Sequence, residues 1–372
     1  MAETLTATGD RRLPSLTGLR FIAAFAVFGF HVAVADPAAA AAGVPHAVTW
    51  LFRQGATGVS FFFILSGFVL CWSARPGDTM LRFWRRRAAK VYPNHFVAAV
   101  VALGVVVATG AAVSFAAAAT NFLLVQAWVP NESVYFGLNT PSWSLSCEAF
   151  FYLCFPLLLL GVGKLPRRWL WPATGATLAA VCLMPAVALA LPEQYRYWFV
   201  YVLPPVRMLE FIAGILLARI VQAGLWIPLG VLPAAVLALA GYFASGYLPA
   251  GSSYVAGTVI PLALLIPAVA ASDLRGGGSS ILRTRALIFL GEISFAFYLV
   301  HQLAIRFVDR VAGERLWSHQ HGLLAGLVML TLSLVASWLL YRVVERPMMS
   351  RLAGSRGRPR PVAAEPASAT VS

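Results

Sequence analysis

The stretch that decides the fold is LTGLRFIAAFAVFGFHVAV, residues 16–34. It is long and apolar enough to cross a bilayer, which takes about 20 residues of helix. Its only ionisable side chains are Arg20 and His31, which are eleven positions apart. A helix places both on nearly the same side, roughly 16 Å apart along its axis. A cation near one end and an imidazole deep inside predict a helix that lines a site.

The composition of the whole chain is that of a membrane protein. Its 372 residues are 60% apolar and 11% charged, with a mean hydropathy of +0.78. A soluble globular chain is about half apolar and a quarter charged. Only helices and closed barrels span hydrocarbon, and the apolar blocks are too long for barrel strands. We therefore predict an all-α polytopic membrane protein of about ten transmembrane helices.

The basic residues predict the orientation of these helices. A net charge of +14 would indicate nucleic acid in a soluble protein, but arginines in cytoplasmic loops explain it here, so we expect no nucleic-acid partner. With both termini cytoplasmic and residues 113–130 not crossing, most Lys and Arg residues fall on the cytoplasmic side. The exceptions are Arg53, Arg196, Arg207, Arg306, Arg310 and Arg315.

The same analysis divides the chain into three parts. Residues 1–15 are a cytoplasmic lead, residues 16–347 a transmembrane domain, and residues 348–372 a tail that is basic and then disordered. The four cysteines (Cys71, Cys147, Cys154 and Cys182) lie in apolar runs without CxxC or zinc-ligand spacing. They indicate small apolar side chains, with no metal site and no disulfide framework.

Ionisable residues within the apolar runs are candidates for function, because each costs a few kcal/mol inside a bilayer. They are His31, Glu148, Glu210, Arg207, Glu292 and His301. The structural alternative is that each is a satisfied polar group that joins helices. His31 titrates near neutrality and can act as a general base. No GxSxG motif is present, which favours a direct base-assisted transfer over a covalent serine enzyme.

A basic cluster follows the second span. Arg82, Arg85, Arg86, Arg87 and Lys90 are interleaved with Phe83, Trp84 and Tyr92. One interpretation is a cytoplasmic membrane anchor with its aromatic belt. The other is a phosphate site, because guanidinium groups match phosphate oxygens and aromatic rings stack on a nucleobase. The spacing from Arg20 to His31 is about the reach of a pantetheine arm.

Six motifs in this order resemble those of the acyltransferase 3 family of integral membrane O-acyltransferases. They are SLTGLRFIAAFAVFGFH (15–31), GVSFFFILSGFVL (58–70), FWRRRAAKVYP (83–93), PSWSLSCEAFFYLCFP (141–156), GEISFAFYLVH (291–301) and VVERP (343–347). The segments KVYPNHF and SLSCEAFFYLCFP resemble the corresponding sequences of the actinobacterial branch that acylates macrolide-type antibiotics. Cys147 stands before Glu148 where many members have a small aliphatic residue.

The resemblance implies the reaction and the site residues. Acyl-CoA, acetyl-CoA or another short-chain form, is the expected donor, and a hydroxyl of a small molecule or glycan is the acceptor. The expected location is a bacterial cell membrane, crossed several times. His31 is the expected base, with Arg20, Glu148 and Ser144 as catalytic partners. The other expected site residues are Arg85, Arg86, Arg87, Lys90 and Tyr92 for the donor, and Ser66, Trp143, Tyr298 and His301 for the acceptor.

Two other functions stay open at this stage. A proton-coupled transporter or flippase would use His31, Glu148 and Glu210 as a relay. The sequence has no detectable twofold repeat, which disfavours that function. A scaffold or sensor that kept the fold would bind donor without turnover.

Overall fold

The structure is a computed structural model that describes residues 13–34, 44–75, 77–110, 112–253, 255–276, 281–312 and 322–352. Every regular element within these ranges is helical. The helices are α1 Pro14–Ala33, α2 His46–Phe52, α3 Gly58–Trp72, α4 Met80–Thr109, α5 Phe115–Phe122, α6 Glu132–Tyr135, α7 Trp143–Gly163, α8 Leu170–Ala188, α9 Glu193–Tyr197, α10 Pro204–Gln222, α11 Val231–Ser245, α12 Ala250–Ser253, α13 Ala256–Leu274, α14 Arg285–Ala312, α15 Gly322–Leu340 and α16 Arg346–Leu352. Most of the predicted terminal lead and tail lies outside the described residues.

Nine helical stretches in the described part of the chain are long and apolar enough to cross a bilayer. They are Pro14–Ala33, His46–Trp72, Met80–Ala108, Thr140–Gly163, Arg167–Ala188, Glu193–Gln222, Gly251–Leu274, Arg285–Val311 and Gly322–Arg351. Helix α11 is apolar but has only 15 residues, about 22 Å against a hydrocarbon core of about 30 Å. The all-α polytopic class is confirmed. The nine long apolar helices together with the shorter α11 agree with the prediction of about ten. The side on which the termini lie stays a prediction.

Helices α3 and α10 make the most extensive helix contact in the described residues. Gly67 of α3 lies against the backbone of Phe211, and Gly214 of α10 lies against the backbone of Ile64. A Cβ atom at either position would overlap a carbonyl oxygen of the other helix. The crossing therefore depends on glycine at both positions, because only a residue without a side chain allows this approach.

Helix α1 is held at its start and along one face. The backbone N–H and the hydroxyl of Ser15 donate to the Asp273 carboxylate at 2.9 and 2.6 Å, which ties α1 to the end of α13. Gly291 of α14 packs on the backbone of Thr17. This close contact lets α1 and α14 run alongside each other. His31 on α1 and His301 on α14 can therefore meet.

Two irregular segments agree with expectations from the sequence. Helix α5 lies in the segment 113–130 and has eight residues, about 12 Å of length, which is too short to cross a bilayer. The Pro204-Pro205 pair predicts a break in its span. A π-helical turn over Trp198–Val202 ends at Leu203, whose backbone is extended, and α10 begins at Pro204.

Candidate active site

An inner cavity of about 110 Å³ lies between α1, α3, α4, α7 and α14. These are the helices that carry five of the six sequence motifs. The sequence-predicted site residues that line the cavity are Arg20, Ser66, Arg87, Lys90, Ser144, Glu148 and Tyr298. Residues from the first, second, third, fourth and fifth motifs thus meet around one space.

The inner cavity is cationic at one end. Arg20, Arg87 and Lys90 line it together with a single carboxylate, Glu148, among the described lining residues. The hydroxyl of Tyr152 donates to Glu148 Oε2 at 2.9 Å. Three cations against one carboxylate in a poorly solvated space favour an anionic ligand, because the attraction is screened far less there than in water.

The carboxylate of Glu345, from the sixth motif, lies near these cations. Glu345 is buried and accepts a hydrogen bond from Asn94 Nδ2 at 2.7 Å. It lies within electrostatic range of Lys90 and Arg20. The VVERP motif therefore supports the cationic end from outside the cavity lining.

An outer cavity of about 280 Å³ adjoins the inner one. The loop after α3 and the facing sides of α4 and α7 line it, and Leu70 and Arg87 line both cavities. Arg86 also lines the outer cavity, where it forms two hydrogen bonds with the Asp78 carboxylate. The bond to Arg86 lowers the pKa of Asp78. The two cavities are therefore neighbours, with Arg86 in the outer lining and Arg87 in both.

The remaining predicted donor residues lie elsewhere on α4. Arg85 is exposed, and Tyr92 is 44% exposed and stacks on Phe96. Neither residue lines the inner or the outer cavity. The predicted cluster is therefore divided by the helix: Arg86, Arg87 and Lys90 face the cavities, whereas Arg85 and Tyr92 face away.

The inner cavity is bounded on one side by a hydrogen-bonded pair. The Tyr298 hydroxyl and Ser144 Oγ are 2.9 Å apart, and both groups are buried. Phe62 packs edge-on against the Tyr298 ring. Trp143 is buried beside this pair, against Phe63 and Tyr201, and does not line the cavity.

His31 does not line the inner cavity. Its Nδ1 is 3.1 Å from Nε2 of His301 and 3.0 Å from the carbonyl oxygen of Val27. His301 is fully buried one turn after Tyr298 on α14. The structure thus brings two predicted residues, one from the first motif and one from the fifth, into direct contact one helical turn from the cavity-lining Tyr298.

Several residues of the site were not predicted from the sequence. Tyr152 is four positions after Glu148 on one helix, a spacing that places the two side chains together, so this pair was detectable. No spacing or motif in the sequence indicated Asp78. Arg306 lies within electrostatic range of His31 and donates to the Leu138 carbonyl oxygen at 2.8 Å, and a contact so distant in sequence leaves no local pattern.

Two of the other intramembrane candidates pair with each other. Arg207 and Glu210 form an ion pair at 3.1 Å with both side chains 1% exposed, and Arg207 also donates to Ser60 Oγ at 3.1 Å. The guanidinium lies over the rings of Phe63 and Tyr201. This arrangement joins α10 to α3, which is the structural role considered for such residues. Among the described residues, no group of three or more His, Cys, Asp or Glu side chains is placed to hold a metal ion.

The geometry is that of a cavity lined by cationic side chains, with an imidazole pair next to Tyr298 of its lining. Comparison with known families places the chain: the acyltransferase domain family known as acyltransferase 3 matches residues 13–342. The protein belongs to this family of acyltransferases, as its six motifs predicted.

Two relatives extend over nearly the whole chain. It is 43% identical over 379 aligned positions to acyltransferase MdmB of Streptomyces mycarofaciens, covering 96% of each protein. It is 29% identical to the exopolysaccharide production protein ExoZ of Rhizobium meliloti, covering 81% of this chain and 91% of that protein. A shorter match, 29% identical, covers 40% of this chain and 24% of the peptidoglycan O-acetyltransferase OatA of Listeria monocytogenes. No solved structure matches the chain.

Proposed function

We propose that the protein transfers a short acyl group from acyl-CoA to a hydroxyl of a small-molecule acceptor, with His31 as general base. The observation that carries the proposal is the pair of neighbouring cavities: Arg86 and Arg87 line the outer one, and Tyr298 of the inner one bonds His301, which contacts His31. Donor phosphates and a nucleotide would occupy the wide outer end. The pantetheine arm, being long and thin, would extend through the inner cavity toward the histidine pair.

Each group of site residues has a separate role in the proposed reaction. Arg86, Arg87 and Lys90 bind phosphate oxygens, and Arg20 lines the cavity through which the arm passes. His31 takes the proton of the acceptor hydroxyl as its oxygen attacks the thioester carbonyl. The carbon–sulfur bond then breaks, and the CoA thiolate receives the proton from the imidazolium. Opening of the boundary formed by Phe62, Tyr298 and Ser144 would bring the thioester to His31.

The acceptor that we propose is a macrolide-type secondary metabolite. Support comes from the near full-length relationship to an acyltransferase of Streptomyces. The relatives named for exopolysaccharide production and peptidoglycan O-acetylation make a sugar or glycan hydroxyl the second acceptor class. We place the protein in a bacterial cell membrane with both termini cytoplasmic, which puts the basic first turns of α4 on the side where CoA is found.

The test uses the purified full-length protein in lipid nanodiscs with acetyl-CoA and a macrolide that has a free hydroxyl. We expect acceptor-dependent release of CoA thiol and formation of the acetyl ester. His31→Ala should lower the rate about 10²–10⁴-fold, the usual contribution of a general base. His46→Ala is the matched control, because His46 is exposed at the start of α2. Near wild-type turnover by His31→Ala would overturn the mechanism, and acceptor flux without thiol release would favour the transporter alternative.

A further inference from the structure

His31 and His301 are 270 residues apart in sequence and form a direct ring-nitrogen contact in the structure. His31 is on α1 and His301 on α14, the two helices that pack together through Gly291 and Thr17. His301 is fully buried among the aromatic rings of Phe28, Phe297 and Tyr298. Such apolar surroundings disfavour a charge on the His301 ring, which we therefore treat as neutral.

The hydrogen bonds of His301 assign its proton. Its Nδ1 is 2.7 Å from the Tyr298 carbonyl oxygen, and a carbonyl oxygen only accepts, so Nδ1 carries the hydrogen. A neutral imidazole has one N–H group, and its other nitrogen is an acceptor. The acceptor is therefore Nε2 of His301, the atom that faces His31.

The assignment of His301 determines the proton of His31. Nδ1 of His31 faces two acceptors, His301 Nε2 at 3.1 Å and the Val27 carbonyl oxygen at 3.0 Å. It must then carry the hydrogen and share it between them. In the neutral ring this leaves Nε2 of His31 with a free lone pair, which is the group that a general base needs.

We propose that His301 is a positioning residue that keeps His31 in the Nδ1–H tautomer and so presents Nε2 as the base. The inference rests on the proposed acyl transfer. After Nε2 takes the acceptor proton, the His31 ring is an imidazolium, and its Nδ1–H bond to His301 becomes a charge-assisted bond, which is roughly twice as strong. His301 thus orients the base before the reaction and stabilises it after the proton transfer.

The kinetic test compares His301→Gln with His301→Leu. Glutamine places an amide oxygen near the position of Nε2 and keeps an acceptor for His31, whereas leucine fills the space without one. We expect His301→Leu to lower kcat about 10- to 100-fold with donor and acceptor KM within about twofold, and His301→Gln to recover most of the loss. Equal kcat in the leucine variant and the wild type would overturn the proposal, and so would a leucine defect confined to KM.

A matched control separates this role from the general cost of losing a buried histidine. His95 is fully buried and its Nε2 bonds the Asn121 carbonyl oxygen at 2.8 Å. His95→Leu should lower thermal stability to a similar extent but leave kcat within about threefold. If it lowers kcat as much as His301→Leu does, the positioning role is excluded.

A spectroscopic measurement tests the tautomer without any turnover. The ring nitrogens of ¹⁵N-histidine-labelled protein in bilayers distinguish a nitrogen that carries hydrogen from a bare one, and the His31→Ala spectrum assigns the His31 signals. We expect a protonated Nδ1 and a bare Nε2 in the wild type, and a shift toward the other tautomer in His301→Leu. A wild-type Nε2–H signal would refute the inference. Failure of the proposed function appears separately, as full activity of His31→Ala.

Discussion

The Tyr298 hydroxyl and Ser144 Oγ form a 2.9 Å hydrogen bond that joins α14 to α7 at the end of the inner cavity. The same tyrosine supplies the carbonyl oxygen that bonds His301. The bond therefore links the cavity boundary to the histidine pair, so that movement of one is expected to affect the other.

This link predicts coupled effects of Tyr298→Phe and Ser144→Ala. Each change removes one partner of a bond worth about 0.5–1.5 kcal/mol, so we expect each to lower kcat/KM about three- to tenfold. The double variant should be no worse than either single one, because the bond is already lost. The measurement is a double-mutant cycle of kcat/KM. Strictly additive losses would mean that the hydrogen bond itself plays no part in turnover.

Arg87 and Arg85 are predicted to differ strongly in donor binding. Arg87 lines both cavities and Arg85 lines neither. Hydrogen bonds to charged groups contribute about 1.5–3 kcal/mol, so Arg87→Ala should raise the donor KM about 10- to 100-fold. Arg85→Ala, on the same helix with the same loss of charge, should change it less than about twofold. Titration with acetyl-CoA at fixed acceptor checks both variants, and equal effects would indicate only a diffuse surface charge.

Asp78 is predicted to compete with the donor for Arg86. The bond to Arg86 lowers the pKa of Asp78, so the carboxylate stays charged above its ordinary pKa of about 4 and the pair is lost only as acid protonates it. Between pH 6 and 8, about the range of the assay, the pair is therefore intact. Asp78→Asn frees Arg86 and should lower the donor KM about two- to fivefold.

The control for Asp78→Asn is Glu132→Gln, which removes one negative charge from an exposed position outside both cavities. It should leave the donor KM unchanged. A higher donor KM in Asp78→Asn would show instead that Asp78 orients Arg86 for the donor, and the competition would then be ruled out.

Gly67 is predicted to be essential for stability, unlike Gly104. A Cβ atom at Gly67 would overlap the Phe211 carbonyl group, whereas nothing lies within 4 Å of a Cβ atom at Gly104. Overpacking of this kind costs about 1–3 kcal/mol, so Gly67→Ala should lower the melting temperature in detergent. Gly104→Ala should keep it or raise it, because alanine favours a helix by about 1 kcal/mol over glycine. Equal melting temperatures would contradict the close crossing of α3 and α10.

Local patterns in the sequence were sufficient for the class and most of the span positions. Long apolar runs indicate transmembrane helices because the bilayer sets both their length and their composition. The Pro204-Pro205 break and the short segment around α5 followed from backbone chemistry and from length. Motif order was sufficient for the family.

Positions within one helix were also predictable, since 3.6 residues per turn relates them directly. Arg20 lines the inner cavity, and its role in the reaction stays a prediction. Periodicity could not predict which side of α4 faces the cavities, because the rotation of this helix about its axis depends on its neighbours. The sequence therefore could not show that Arg85 and Tyr92 lie outside both cavity linings.

The sequence by itself determined that this is a polytopic helical acyltransferase with Arg20 and His31 on one helix about three turns apart. Only the tertiary structure decided that His31 does not line the inner cavity and that His301 bonds its Nδ1. The reason is physical. Helical periodicity relates residues over a few turns, whereas a contact between residues 270 positions apart depends on how α1 and α14 pack, for example through the close contact of Gly291 with Thr17.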